Sequence, residues 1–176
     1  MEFRETSLPG VFLISLELLE DERGFFSRTF CRETFARHGL NPHLEQCNLS
    51  FNRKKGTLRG MHYQEAPARE AKLVRCLRGA IYDVILDVRP GSATWGRWEG
   101  FILSEESRQM LYVPEGMAHG FLTLCDQTEV FYQMSEKFLP ALARGIRWDD
   151  PAFGITWPEP VAVISEKDQH YPLVNP

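Results

Sequence analysis

Gly56-Thr57-Leu58-Arg59-Gly60-Met61-His62-Tyr63-Gln64 is the stretch whose reading decides the fold. It reads as a strand. Strict alternation puts Leu58, Gly60, His62 and Gln64 on one side and Thr57, Arg59, Met61 and Tyr63 on the other. An imidazole beside a glycine and an amide is an odd lining for a closed core. Glycine in mid-strand costs stability and marks a close approach by a ligand or another backbone. Histidine exchanges protons near neutrality more readily than any other side chain. The plainer reading of His62 alone is a core histidine with both nitrogens satisfied.

Working outward, residues 44–50 alternate with Gln46, Asn48 and Ser50 on one face, most simply a solvated sheet face. Paired with the next strand, which carries Arg59 and His62, that face would instead line a polar cavity. Residues 71–79 and 80–88 read as a hairpin turning at Arg78-Gly79, with Lys72 and Asp83 as charged positions in apolar strands. Strand character recurs at 11–16, 25–30, 95–103 and 109–113. It recurs again at 118–124 around His119, and at 129–134 around Tyr132. Residues 32–38 form one convincing short helix, with Gly39 as its C-terminal cap. The tail from Trp148 is rich in turns and carries the polar cluster Ser165-Glu166-Lys167-Asp168. Many short strands between glycine and proline turns predict an all-β antiparallel sandwich or barrel with one or a few short helices. No linker or repeat divides the chain, so a single domain over 1–176 is expected.

Composition narrows the partners. A net charge of −4 argues against nucleic acid or an anionic membrane. It leaves room for an anionic ligand held by a few arginines. The four cysteines, Cys31, Cys47, Cys76 and Cys125, are far apart and suit reduced thiols. Neither an apolar leader nor a membrane-length apolar run is present, so a cytoplasmic protein is expected.

Arg59, His62, Lys72, His119 and Tyr132, with Lys167 and Asp168, share a pattern of polar side chains that should face one interior. A metal reading needs more ligands. Small metal-binding barrels usually carry a His-x-His pair, and here Gln64 stands two residues after His62. The expectation is therefore no metal and no cofactor.

The ordered series Asp21-Glu22-Arg23-Gly24-Phe25-Phe26, Gln46-Cys47-Asn48-Leu49-Ser50, residues 55–64 and Lys72-Leu73-Val74-Arg75 carries a family signature. It continues through residues 114–121, Ile146-Arg147-Trp148-Asp149-Asp150-Pro151, Trp157-Pro158 and Ser165-Glu166-Lys167-Asp168. Together these closely resemble the dTDP-4-dehydrorhamnose 3,5-epimerase family. The resemblance implies a cupin-type double-stranded β-helix, a jelly-roll barrel, usually a homodimer and metal-free in catalysis. It implies a nucleotide-diphospho-sugar substrate, typically dTDP-4-dehydro-6-deoxyglucose. Carried over residue by residue, His62 matches the base, Asp168 its carboxylate partner and Tyr132 the proton donor. Lys72 and Arg59 match groups around the ketone and phosphates. Arg23, Gln46, Asn48, His119 and Lys167 match substrate-binding positions, and Phe138 the ring that stacks on the nucleobase. Arg28 and Ala143 stand where members commonly carry glutamates that touch substrate; Arg28 is kept as a binding candidate. Which nucleotide and sugar are bound, and whether C3, C5 or both are inverted, stays open. A metal-dependent enzyme or a non-catalytic sugar-nucleotide binder of the same fold are the other readings.

Overall fold

A computed structural model describes residues 1–174. Strands are numbered in chain order. One sheet runs β1 (Glu2–Glu5), β2 (Phe12–Ser15), β10 (Met110–Val113), β7 (Lys72–Arg78), β12 (Thr128–Met134), β5 (Gln46–Asn52). The second runs β13 (Ala143–Gly145), β6 (Thr57–Gln64), β11 (Met117–Thr123), β8 (Ala80–Asp87), β9 (Trp98–Ser104). All these neighbours are antiparallel, and β14 (Val163–Ile164) adds to the start of β6 in parallel. A small hairpin of β3 (Leu19–Asp21) and β4 (Gly24–Phe26) stands apart. The helices are α1 (Arg32–Arg37) and α2 (Glu166–Gln169). The architecture is the all-β jelly roll expected of the sequence.

Burial explains the layering. Alternate residues of both sheets, among them Leu13, Val74, Val130, Ile81, Ile85 and Phe121, meet between the sheets in a dry core. Phe35 of α1 packs with Ile14, Leu73 and Tyr112 on the outer face of the first sheet. The turn-rich tail contributes Ile146, Phe153 and Trp157, which cover Met61, Val84 and Leu86 on the outer face of the second.

One expectation is corrected. Residues 71–88 are not a hairpin: β7 and β8 belong to different sheets, and the chain crosses between them at Gly79. Of the two readings of β5, pairing with β6 fails: β5 pairs with β12. The polar cluster at 165–168 opens a short helix, with the Ser165 hydroxyl accepting the Asp168 N–H and capping α2.

The strict alternation of β6 is also broken. His119 stands opposite His62, but Phe121 stands opposite Arg59, so Gly60 and Met61 together face the single residue Gly120. This β-bulge shifts the facing pattern by one residue. Met61 and Tyr63 join the outer cluster, whereas Arg59 and His62 both line the interior cavity. Gly60 is required here: its φ is +136°, and a Cβ would lie 2.5 Å from the Gly120 Cα. The close approach marked by this glycine is by backbone.

Candidate active site

The bulge aims His62 into the barrel, and its Nε2 lies 2.7 Å from Oδ1 of Asp168. Among the described residues Nδ1 has no hydrogen-bond partner. Asp168 is held from two sides. Its own N–H donates to the Ser165 cap at 3.1 Å, and its Oδ2 accepts the Gly60 N–H at 3.3 Å. Burial alone pushes this carboxyl up, but hydrogen bonding and charge from His62, with the Gly60 amide, outweigh burial and hold it below the usual carboxylate range. A buried, ionised carboxylate therefore orients the imidazole.

Lys72 opens β7 in the facing sheet, with its side chain 8% exposed. Its Nζ lies 2.9 Å from Glu70 Oε1 and donates to the His62 carbonyl oxygen at 3.1 Å. Tyr132 projects from β12, the neighbour of β7. Burial pushes its phenol up, the Arg59 charge pulls it down and the Glu70 charge pushes it up, with a net upward shift. At neutral pH Tyr132 is thus an O–H donor. Arg59 is steadied by Asn52, whose Oδ1 accepts from Nε at 2.8 Å.

A second histidine–carboxylate pair stands beside the first. His119 Nε2 lies 2.8 Å from Oδ1 of Asp83, the two side chains 9% and 0% exposed. The contact is close without meeting hydrogen-bond geometry, and among the described residues no other donor reaches the Asp83 oxygens. The two histidines are cross-strand neighbours, each turned onto its own carboxylate. Among the described residues, no three histidine, cysteine, aspartate or glutamate side chains converge as a metal site requires.

The cavity has two lobes. The larger, about 690 Å³, is lined by Arg59, His119 and Asp168 among others. The smaller, about 450 Å³, is lined by Gln46, Asn48, Glu70, Phe138 and Ala143 among others. His62, Lys72, Tyr132 and Lys167 line both, so they stand at the junction. The two strands that carry His62 and Tyr132 belong to opposite sheets. An imidazole and a phenol therefore reach one space from two walls.

A family model described as dTDP-4-dehydrorhamnose 3,5-epimerase matches residues 5–175. The chain belongs to this family. It is 45% identical to the dTDP-4-dehydrorhamnose 3,5-epimerase of Methanothermobacter thermautotrophicus, covering 97% of this chain and 94% of that protein. A crystal structure of the Bacillus anthracis epimerase with TDP and PPi bound is 37% identical, with a TM-score of 0.93, covering 98% of this chain and 99% of that one. A 3'-monoepimerase from Streptomyces bikiniensis, solved with dTDP-quinovose, is 34% identical, with a TM-score of 0.87, covering 96% and 85%.

As a member of the epimerase family, the chain gathers most of its expected site residues at one cavity. Arg59, His62, Lys72, His119, Tyr132, Lys167 and Asp168 line the larger lobe, and Gln46, Asn48 and Phe138 the smaller. Two expected residues are not brought there within this chain. Arg23 sits on the exposed β3–β4 turn, its guanidinium taken by Asp21. Arg28 lines a separate cavity with Met1, Glu17 and Phe26. Both follow from a hairpin that pairs with neither large sheet. The sequence reading missed Glu70, Asn52 and Tyr171, and saw Asp83 only as a charge in an apolar strand. Tyr171 packs its ring edge against His62, centroids 6.2 Å apart. Glu70 precedes the strand that opens at Lys72, where a carboxylate reads as solvated surface, so nothing in the pattern marked it.

Proposed function

We propose that the protein is an epimerase of a nucleotide-diphosphate-linked 4-keto-6-deoxy sugar. By kinship its substrate is the dTDP sugar that its relatives are named for, and inversion takes place beside the ketone. One observation carries the reading: His62 with Asp168 on one wall and Tyr132 on the other face a single cavity, with Lys72 at their junction. A hydrogen next to a ketone is acidic because its anion delocalises onto oxygen. The free Nδ1 of His62 takes that proton as the C–H bond breaks, and the electron pair moves to the ketone oxygen. The ammonium of Lys72 stabilises the enolate, as an oxyanion-hole donor does. The electron pair then returns to carbon, which takes the Tyr132 proton on its other face, and the stereocentre is inverted. Solvent exchange resets imidazolium and phenolate.

The substrate lies across the junction in this reading. Phe138, half exposed in the smaller lobe, stacks on the base. Lys167, which lines both lobes, and Arg59 meet the diphosphate. A guanidinium suits phosphate oxygens through its fork of donors. A single-carbon epimerase is the second reading. It is favoured by Ala143, which lines the smaller lobe without the family's usual carboxylate, and by likeness to a monoepimerase.

The reading extends to one catalytic unit over the whole chain, in the cytoplasm and as a homodimer. The four cysteines are unpaired thiols, which supports the compartment. Exposed apolar side chains support the dimer: Leu19, Phe25 and Phe26 on the small hairpin, and Leu49 and Phe51 on the edge strand β5. Light scattering should give twice the chain mass, and Leu49→Asp should lower it.

The deciding experiment incubates a panel of nucleotide-linked 4-keto sugars with the protein in deuterated water. NMR should find deuterium entering at C3, C5 or both. No deuterium at either carbon for any substrate would overturn the reading.

A further inference from the structure

Lys72 is held from two sides, by one hydrogen bond and one ion pair. Its Nζ lies 2.9 Å from Glu70 Oε1 and donates to the His62 carbonyl at 3.1 Å. An ammonium on a four-carbon stem is otherwise a rotatable point charge. Here a backbone acceptor on one wall and a carboxylate beside it fix where that charge sits.

Glu70 is built into this place. Its side chain is 5% exposed and it lies on the wall of the smaller lobe, beside Lys72 and Tyr132. Among the described residues its Oε2 has no hydrogen-bond partner, and its ion pair is with Lys72. A buried carboxylate is costly unless paired, and here the whole compensation comes from the ammonium at the cavity junction. A neutral side chain of similar size would fill the volume without that cost.

We propose that Glu70 is a positioning residue of the proton-transfer centre, its ion pair holding the Lys72 ammonium at the cavity junction, where it addresses the ketone oxygen of the bound sugar. This deepens the epimerase reading and rests on it. The backbone hydrogen bond to His62 ties the same ammonium to the strand that carries the base, so base and charge sink are set relative to one another. The Glu70 charge also reaches Tyr132, adding to the upward push that burial gives the phenol and opposing Arg59.

The test compares the full-length wild type with Glu70→Gln, Glu70→Ala, Lys72→Met and the double variant Lys72→Met/Glu70→Ala. The readouts are steady-state kinetics and deuterium entry at C3 and C5. Glu70→Gln keeps shape and an acceptor oxygen but not the charge, and should lower kcat about 10-fold; Glu70→Ala should lower it about 100-fold. KM should stay within about threefold in both, because the lost interaction strengthens only as the enolate forms. In the Lys72→Met background, adding Glu70→Ala should change kcat less than about twofold, since the effect passes through the missing ammonium. An equal loss from Glu70→Ala in both backgrounds, or a change in KM alone, overturns the proposal. So does a Glu70→Gln variant indistinguishable from a wild type that exchanges deuterium, and in that case the epimerase reading survives. A wild type that exchanges none removes both.

Discussion

Asp168 is ionised and almost fully buried, and that combination turns a general imidazole into a directed base. Its carboxyl is held below the ordinary range, so it stays charged throughout the neutral region. Asp168→Asn keeps the shape but loses the charge that steadies the imidazolium, and kcat should fall by about 10²- to 10⁴-fold. With the carboxyl lowered, any acid limb that Asp168 imposes on the wild-type kcat profile should lie below about pH 4, and a limb absent from Asp168→Asn would identify it. Tyr132→Phe removes only the donor. Deuterium should still enter the substrate while inversion drops by about 10²-fold or more. At this scale the sequence was legible where a side chain had an unusual type for its place, as with His62, Lys72 and Tyr132. Glu70 was not legible, because a carboxylate before a strand reads as a solvated surface until a fold buries it beside the lysine.

The element that organises the site is β6, through its bulge. Two residues against one give Arg59 and His62 the same facing, which alternation from sequence denies. A Cβ on Gly60 meets backbone at 2.5 Å in a positive-φ conformation. Gly60→Ala should therefore cost about 3 kcal/mol, lowering Tm by about 6–12 °C in a chain of this size by thermal unfolding. The helix α2 was unreadable because four residues carry no periodicity, but its cap is a local and testable feature. Ser165→Ala should cost about 1 kcal/mol. It should lower kcat by more than that stability loss would suggest, since the cap positions Asp168. Residues 71–88 misled for a different reason: a glycine between two apolar strands looks the same whether the chain turns within a sheet or passes to the other one.

Across the whole molecule, the number and character of the strands were legible, and their partners were not. Pairing depends on which faces are buried together, and β5 meets β12 through contacts distant in sequence. Stability has its own buried charge far from the cavity. Asp87 is fully buried and accepts hydrogen bonds from Arg89, Ser92 and Thr94. Burial raises its carboxyl, but these donors more than offset that and hold it well below the usual range. A lowered carboxyl contributes stability above its unfolded value, about pH 3.9, and loses it as pH falls through the folded value. Asp87→Asn should cost at least about 2 kcal/mol at pH 7. The gap to wild type should narrow on acidification, as denaturant titrations at pH 7 and pH 3 would measure.

The bulge in β6 divides that strand into two reading frames. On either side of Gly60 the residues keep an in-and-out rhythm, but the two rhythms are offset. Loss of the bulge at a constant number of residues would bring them into step, sending either the guanidinium or the imidazole out among the apolar residues under the tail. A chain that keeps three residues' spacing between this guanidinium and this imidazole therefore needs both the bulge and the glycine that permits it.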